Sequence, residues 1–399
     1  MKILQVIPYF PPAYAFGGPC IGAYIISREL VSRGHEVVVF TTDARDTSQK
    51  LHIPSMERIE GITVYRFKNV SMFFVKNSKL FITPALPLKI RKVIKTFDVI
   101  HLHEYRTFQN IVVAHYSNKY NIPYVLQANG SLTYLGRYRR KKLFDVLCGY
   151  KILKNASKLI ALSNFELRQY QNMGISNEKI TIIPSAFDFS EYVNLPPRGR
   201  FRIKYGISDD AKIILYVGRI HRIKGLDILI KAFAYLLNQQ ELKNNILLVI
   251  VGPDDGFLGQ VKTLIKQLNI DDKVLLIGPL YGKLKLEAYV DSDLFVLPSR
   301  YELLSRSLRE ACACGKPVIA SRVGGLMDLV MEGVTGLLFK PGDVTELAKS
   351  IFLLLDNWEK AEDMGLKGRQ FVKENFSIEK VVEKLEKVYE EIYRGKAVF

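Results

Sequence analysis

The 399 residues exceed what one hydrophobic core accommodates, so two domains are expected. Hydrophobic residues make up 48% and charged residues 24%, the balance of a soluble globular protein, and no apolar run approaches the length of a membrane span. The net charge of +17 (57 Lys and Arg against 40 Asp and Glu) favours anionic partners: phosphorylated substrates, acidic lipid head groups or nucleic acid. The four cysteines are scattered, Cys312 and Cys314 are too close along one helix to bridge well, and no His stands at zinc spacing. Reduced thiols of a cytosolic protein are expected. The opening MKILQVIPYF lacks an apolar stretch long enough for a signal peptide.

Ile3–Ile7 reads as an apolar strand. The loop PYFPPAYAFGGPC follows, then a helix from about Ile21 to Ser32, a stop at Gly34 and a strand at Glu36–Phe40. This is a βαβ unit of Rossmann type. The loop holds Gly17-Gly18 but no G-x-G-x-x-G, so no dinucleotide fingerprint is assigned. A glycine pair there is either an ordinary turn or a place where a ligand approaches the backbone. Ile62–Phe67 and Asp98–His103 are further strands, and the aromatic, basic Phe73–Phe81 reads as a loop packed on its own domain rather than an acceptor or membrane contact. DVIHLHE puts His101 and His103 on one face of a strand, with Glu104 on the other, so no metal site is assigned. His103, at the strand's carboxyl end, is the candidate for an open cleft. Pro123–Ala128 is a strand ending in Asn129-Gly130-Ser131; Asn129 can donate to a hydroxyl but carries no titratable proton at neutral pH.

Arg137–Lys142 (RYRRKK) has five cations in six residues. It opens an amphipathic helix with Leu143, Val146, Leu147, Tyr150 and Leu153 at helical spacing. Two readings stay open: a surface helix with a solvated charged end, or a docking site for anionic lipid, where each cation adds about 1 kcal/mol. No nucleic-acid module accompanies the charge, so nucleic acid is not an expected partner. Leu159–Leu162, with Ser163 as an N-cap, and Ile180–Pro184 complete the first domain, and Pro196-Pro197-Arg198-Gly199 reads as a linker.

Ile213–Arg219 is a strand that delivers Arg219, followed by Lys224-Gly225 and a helix over Leu226–Leu237. Asn245–Gly252 and Lys273–Gly278 are strands, as are Asp293–Leu297, Pro317–Ser321 and Gly336–Phe339. Between Leu297 and Pro317 lies a helix: Ser307 and Glu310 have capping-box spacing, Gly315 sits at a left-handed cap and Pro317 blocks continuation. Ligands bind at the carboxyl ends of such strands. Two carboxylates stand there, Glu302 on the loop and Glu310 in the helix, with seven residues between. Gly324-Gly325 opens the next helix, where backbone N–H groups are placed to meet an anion. The chain ends in one long charged helix, Ile378–Tyr393.

These segments resemble the family 4 retaining glycosyltransferases. The likeness covers essentially the whole chain and is most specific over Val217–Gly225 and Leu297–Phe339. It rests on G-R-x4-K-G at Gly218–Gly225, Glu-x7-Glu at Glu302 and Glu310, ACGKPVIA at Ala313–Ala320, and RGHEV at Arg33–Val37 behind the glycine loop. The fold it implies is α/β, of GT-B type: two Rossmann-like doubly wound domains facing across a cleft. Residues 1–190 would form the acceptor side, 200–377 the nucleotide-sugar side, and 378–399 a helix crossing back to the first domain.

In that family, Arg219 and Lys224 would grip the donor diphosphate, where fixed cations stabilise the charge that builds as the glycosyl bond breaks. Glu302 would contact the sugar hydroxyls and Glu310 the ribose diol, through charge-assisted hydrogen bonds. Gly218 would line the donor site, Gly252 would lie beside the base, and Gly17 and Gly18 would face the cleft. Two positions depart from the family. Asn129 stands where a histidine usually lies close to the reacting sugar. Ser305 stands where a glycine usually lies near the phosphate, with Arg306 and Arg309 either gripping an extra phosphate or solvated.

The implied reaction is transfer of a sugar from a nucleotide-diphosphate sugar to a glycan or lipid-linked acceptor, by metal-independent front-face displacement. Arg219, Lys224, Glu302 and Asn129 would carry the chemistry, without a cofactor and with cations in place of a D-x-D metal cluster. The implied location is cytoplasmic, peripheral at the inner face of the membrane through Arg137–Lys142. Two other functions share the architecture: a nucleotide-sugar epimerase and a catalytically silent sugar-nucleotide-binding protein.

Overall fold

The computed structural model describes residues 1–78, 80–134, 136–238 and 245–396. Lys79 of the aromatic, basic stretch and the last three residues of the expected C-terminal helix lie outside the described residues. The chain forms two compact units, Met1–Phe187 with Ile378–Phe399, and Asp188–Ser377.

The first unit is built on eight strands: β1 (Lys2–Val6), β2 (Glu36–Thr42), β3 (Met56–Ile59), β4 (Ile62–Phe67), β5 (Val99–His103), β6 (Tyr124–Gln127), β7 (Lys158–Ala161) and β8 (Ile180–Ile182). Their order is β3-β4-β2-β1-β5-β6-β7-β8, parallel except for the β3–β4 hairpin. The central strands are buried and mostly apolar because helices cover both faces, with Gln5, His101, His103 and Gln127 as buried polar exceptions. One cover is the helix Ile378–Lys396, whose Val381, Val382, Leu385 and Tyr389 pack on Ile3, Val37 and Val99. Glu386 on the same helix accepts from Arg33 Nη1 at 2.8 Å and lies 2.9 Å from the His35 ring. The polar edge strand β3 escaped the sequence reading; its signal is the two-residue turn Glu60-Gly61, both at positive φ.

The second unit has six strands: β9 (Lys212–Val217), β10 (Ile246–Val251), β11 (Val274–Gly278), β12 (Leu294–Leu297), β13 (Val318–Ser321) and β14 (Leu337–Phe339). They are all parallel, in the order β11-β10-β9-β12-β13-β14. This is the Rossmann order, and the chain reverses its winding between β9 and β12. The expected linker at Pro196–Gly199 is not one. Asp291 accepts from the N–H groups of Gly199 (2.6 Å) and Phe201 (2.7 Å), and Arg198 pairs with buried Asp293 at 3.1 Å. Those bonds fix the segment inside the second unit.

Two expectations in the first unit, one of a loop and one of a helix, fail for identifiable reasons. Phe73–Phe81 is not a loop: Met72–Ser78 is a helix that buries Val75 and leaves Phe73 and Phe74 exposed. The helix after the cationic cluster is not one continuous stripe. Tyr138–Phe144 runs into a single π turn at Asp145–Gly149 before Tyr150–Asn155. One extra residue per turn rotates the face by about 100°. Leu153 is therefore buried, while Leu143, Val146 and Leu147 are 60%, 65% and 69% exposed. The inner face of the turn is taken by Asp145, fully buried and gripped by Arg106 at 2.9 and 2.7 Å.

Candidate active site

In the second unit the loops after β9 and β12 meet at the reversal of winding. Lys224 Nζ lies 2.5 Å from Glu302 Oε2, and Ser299 Oγ donates to the same oxygen at 3.3 Å. Both charged groups are half-buried. Main-chain contacts seat each of them. Arg300 N–H donates to Ile223 O at 2.8 Å, and the Arg300 guanidinium grips Asp227 at 2.8 and 2.6 Å. Gly324, at φ +51°, lies so close to Glu302 that a Cβ there would fall 1.9 Å from the Glu302 carbonyl oxygen. The N–H of Gly325 donates to that same oxygen at 3.1 Å. The Gly325 N–H is thus taken up by Glu302, and the helix behind the glycine pair has only four residues, Leu326–Leu329.

Arg219 lies two residues beyond the end of β9 and is 61% exposed. Its guanidinium pairs with Asp255, a partner the sequence reading missed. Gly252 packs on the main chain of Gly218: a Cβ on Gly252 would sit 1.8 Å from the Gly218 oxygen. Those two glycines bring the ends of β9 and β10 together behind Arg219.

Glu310 is buried in the helix Arg306–Ala313. Its Oε1 accepts from Lys285 Nζ (2.7 Å) and Arg306 Nε (3.0 Å), and its Oε2 from the Tyr289 hydroxyl (3.0 Å). Burial pushes its carboxyl up, but Lys285 and Arg306 outweigh it and hold the pKa below the usual glutamate value. Lys285 and Tyr289 are one helical turn apart on Gly282–Asp291, a spacing that marks them only once the partner helix is known. The cap of the helix Arg306–Ala313 is Ser305, not Ser307: Ser305 Oγ accepts from Leu308 N at 3.2 Å. Ser305 is buried in that role. Arg309 is not solvated; it is buried, with Nε on the Ser305 carbonyl at 3.3 Å and its guanidinium over Phe376.

In the first unit, His103 is a core residue and not an open-cleft residue. It is buried, bonds Gln5 Oε1 at 2.6 Å and stacks on His101 at 4.0 Å. Burial pushes its pKa down to about 3, so it stays neutral. Gly17 (φ +75°) and Gly18 open the helix Gly18–Ser32, earlier than expected, and a Cβ on either would meet no atom within 4 Å. Asn129 has φ +52°; its Oδ1 accepts from Gln127 Nε2 at 2.8 Å, while its buried Nδ2 has no partner among the described residues.

The turn carrying Asn129 hangs on a residue the sequence reading did not single out. Glu166, fully buried, accepts from Gly130 N at 2.6 Å and from Leu162 N at 2.8 Å. Its signal was present: Ser163 caps the helix Asn164–Asn172, and Glu166 stands three residues on, at the glutamate position of a capping box. Among the described residues, no group of three His, Cys, Asp or Glu side chains converges as a metal site would.

Two family models divide the chain. "Glycosyltransferase Family 4" matches residues 16–191 and "Glycosyl transferases group 1" matches residues 197–371. The chain belongs to the family 4 glycosyltransferases. An uncharacterised glycosyltransferase of Methanocaldococcus jannaschii is 28% identical to this one, over 98% of each chain. The N-acetyl-alpha-D-glucosaminyl L-malate synthase of Bacillus anthracis is 27% identical, over 99% of this chain and 98% of its own. Anabaena HepE, solved in complex with UDP, superposes with a TM-score of 0.77 at 21% identity, over 98% of this chain and all of its own. The fold of this glycosyltransferase is GT-B, and its activity is sugar transfer.

The burial of Glu166 sets a pH dependence in this glycosyltransferase. Burial raises its pKa from 4.5 to about 7, against the opposing pull of the Leu162 and Gly130 N–H groups. Between those values the native state keeps a proton that the unfolded chain has released. This group's contribution to stability is therefore fully present below about pH 4.5 and lost as pH rises through about 7. In urea unfolding across that window, Glu166→Gln is expected to flatten this part of the wild-type profile. An unchanged slope would show that Glu166 ionises normally.

Proposed function

We propose that this glycosyltransferase moves a sugar from a nucleotide-diphosphate sugar to a glycan or lipid-linked acceptor, with retention of anomeric configuration and without a divalent metal. The observation that carries the reading is the Lys224–Glu302 pair at the reversal of winding in the second sheet, with Arg219 on the adjoining loop. Ligands of open α/β sheets bind at such a point. A lysine ammonium has three donors, so Lys224 can hold Glu302 and a phosphate oxygen together. Arg219, exposed and arginine-forked, suits bidentate contact with the diphosphate.

The bond from the anomeric carbon to the diphosphate oxygen breaks on the face where the acceptor oxygen attacks. The acceptor's proton passes to the departing diphosphate oxygen, and the products are a glycosylated acceptor and a nucleoside diphosphate. Arg219 and Lys224 stabilise the charge gathering on the leaving group, and Glu302 orients the sugar hydroxyls. Glu310 accepts from the ribose diol, its charge maintained by Lys285 and Arg306. Asn129 offers its unpaired Nδ2 to a sugar hydroxyl. The UDP in HepE supports a nucleotide ligand for this fold.

Arg219→Ala and Lys224→Ala should each lower acceptor-dependent release of nucleoside diphosphate by about 10²–10³, the scale of one transition-state donor. EDTA should leave wild-type turnover unchanged. Near wild-type rates in both variants would overturn the cationic assignment. Rescue of an EDTA-inhibited enzyme by Mg²⁺ or Mn²⁺ would overturn metal independence.

A further inference from the structure

The first unit holds a cavity of about 520 Å³ that begins at the turn Gly130–Ser131 and runs to the helix Tyr138–Phe144. Its chemistry changes along its length. Beside the turn stands Glu104, whose carboxylate accepts from the Tyr9 hydroxyl at 2.7 Å and whose backbone is held at φ +64°. The walls are apolar, including Phe81, Leu143 and Leu147. Arg137, Arg140 and Lys141 also line it. Arg106 is there too, but Asp145 pairs with it. Glu104 is the single carboxylate among the described lining residues, so the cavity is cationic.

The apolar surface does not stop at the cavity. The π turn leaves Leu143, Val146 and Leu147 exposed in succession. Phe73 and Phe74 are exposed on the helix Met72–Ser78, which Arg140 ties to the cationic helix through Ser78 Oγ at 3.3 Å. Water-facing apolar side chains beside a cluster of cations are the pattern of a surface that sits in an anionic interface, apolar groups among the chains and cations at the head groups. A soluble acceptor would have no use for the exposed leucines, and an uncharged lipid would have none for the cations.

Resting on the transferase reading above, we propose that this cavity is the acceptor site and that the acceptor is lipid-borne with an anionic, phosphate-type head group. Its phosphate meets Arg137 and Arg140, its chain lies along Leu143 and Leu147 towards the bilayer, and its reacting hydroxyl points to Glu104 and the Asn129 turn.

Decyl phosphate, decanol and inorganic phosphate serve as probes, with binding followed by titration calorimetry. Decyl phosphate should bind more tightly than either of the others. Arg137→Gln/Arg140→Gln should weaken decyl phosphate about 30-fold and leave decanol unchanged. Leu143→Ser/Leu147→Ser should weaken both chain-bearing probes and leave inorganic phosphate unchanged. All four positions are exposed, so thermal midpoints should not move. Vesicles of phosphatidylcholine with phosphatidylglycerol should co-sediment the protein, and phosphatidylcholine alone should not, with binding falling as salt rises. Inorganic phosphate binding as tightly as decyl phosphate would reduce the site to a free-anion site and overturn the proposal. Decanol equal to decyl phosphate would remove the anionic head, with the same result. Polyglutamate binding as tightly as the anionic vesicles would assign the surface to an acidic protein and also overturn it. The two readings fail separately: a chain whose second unit binds a nucleotide sugar but whose first unit ignores decyl phosphate is a transferase with another acceptor. A chain that binds decyl phosphate but no nucleotide sugar keeps the lipid site and loses the transferase reading.

Discussion

A half-buried ion pair, Lys224 with Glu302, is the contact on which the second unit's site depends. The two side chains are 16% and 14% exposed, so solvent screens the pair only in part. The pair holds two loops in one geometry only because main chain meets main chain around it. Gly324 lies against the Glu302 carbonyl, and the Ser321 hydroxyl donates to the Ser299 carbonyl beneath. A side chain on Gly324 would push Glu302 off its seat. The ion pair thus reads out a backbone arrangement that glycine alone permits there.

The two carboxylates at this end of the sheet are held differently, which fits different tasks. Among the described residues, Glu302 is bonded through Oε2, to Lys224 and Ser299. Glu310 is buried with both oxygens occupied, and it keeps its charge against burial because two cations face it. A ligand reaching Glu310 meets a carboxylate already oriented, so little ordering remains to be done on binding. The same economy appears in the first unit, where Glu166 fixes the Asn129 turn through two backbone N–H groups. Asn129 then presents a buried donor without a partner among the described residues, a costly arrangement that a ligand hydroxyl would relieve.

What the sequence revealed follows from what is local. The parallel strands of both sheets are near-continuous apolar runs, so their existence was legible and only their ends moved by a residue or two, whereas the polar antiparallel edge strand β3 gave no such signal. Arg219, Lys224, Glu302 and Glu310 were legible through motif spacing, and Lys224 and Glu302, 78 residues apart, do meet. What escaped depends on tertiary partners. Nothing local to Lys285 or Tyr289 announces Glu310, and nothing local to Asp255 announces Arg219. His103 sits at the end of a strand, yet Gln5 and His101 close over it. Leu143, Val146 and Leu147 keep an α-helical period in sequence, and one π turn, set by buried Asp145 and its partner Arg106, moves them to the outside. The apparent linker at Pro196–Gly199 is held by Asp291 and Asp293, some ninety residues on.

The central claim is that Lys224 and Glu302 act as one unit on the donor. A double-mutant cycle tests it most directly: acceptor-dependent release of nucleoside diphosphate by the wild type, Lys224→Met, Glu302→Gln and the double variant, on the nucleotide sugar that most stabilises the wild type. Groups that act together lose their effect together, so the double variant should be no slower than the slower single variant. Losses that simply multiply would contradict the account, because they would mean that the ammonium and the carboxylate act on the donor independently.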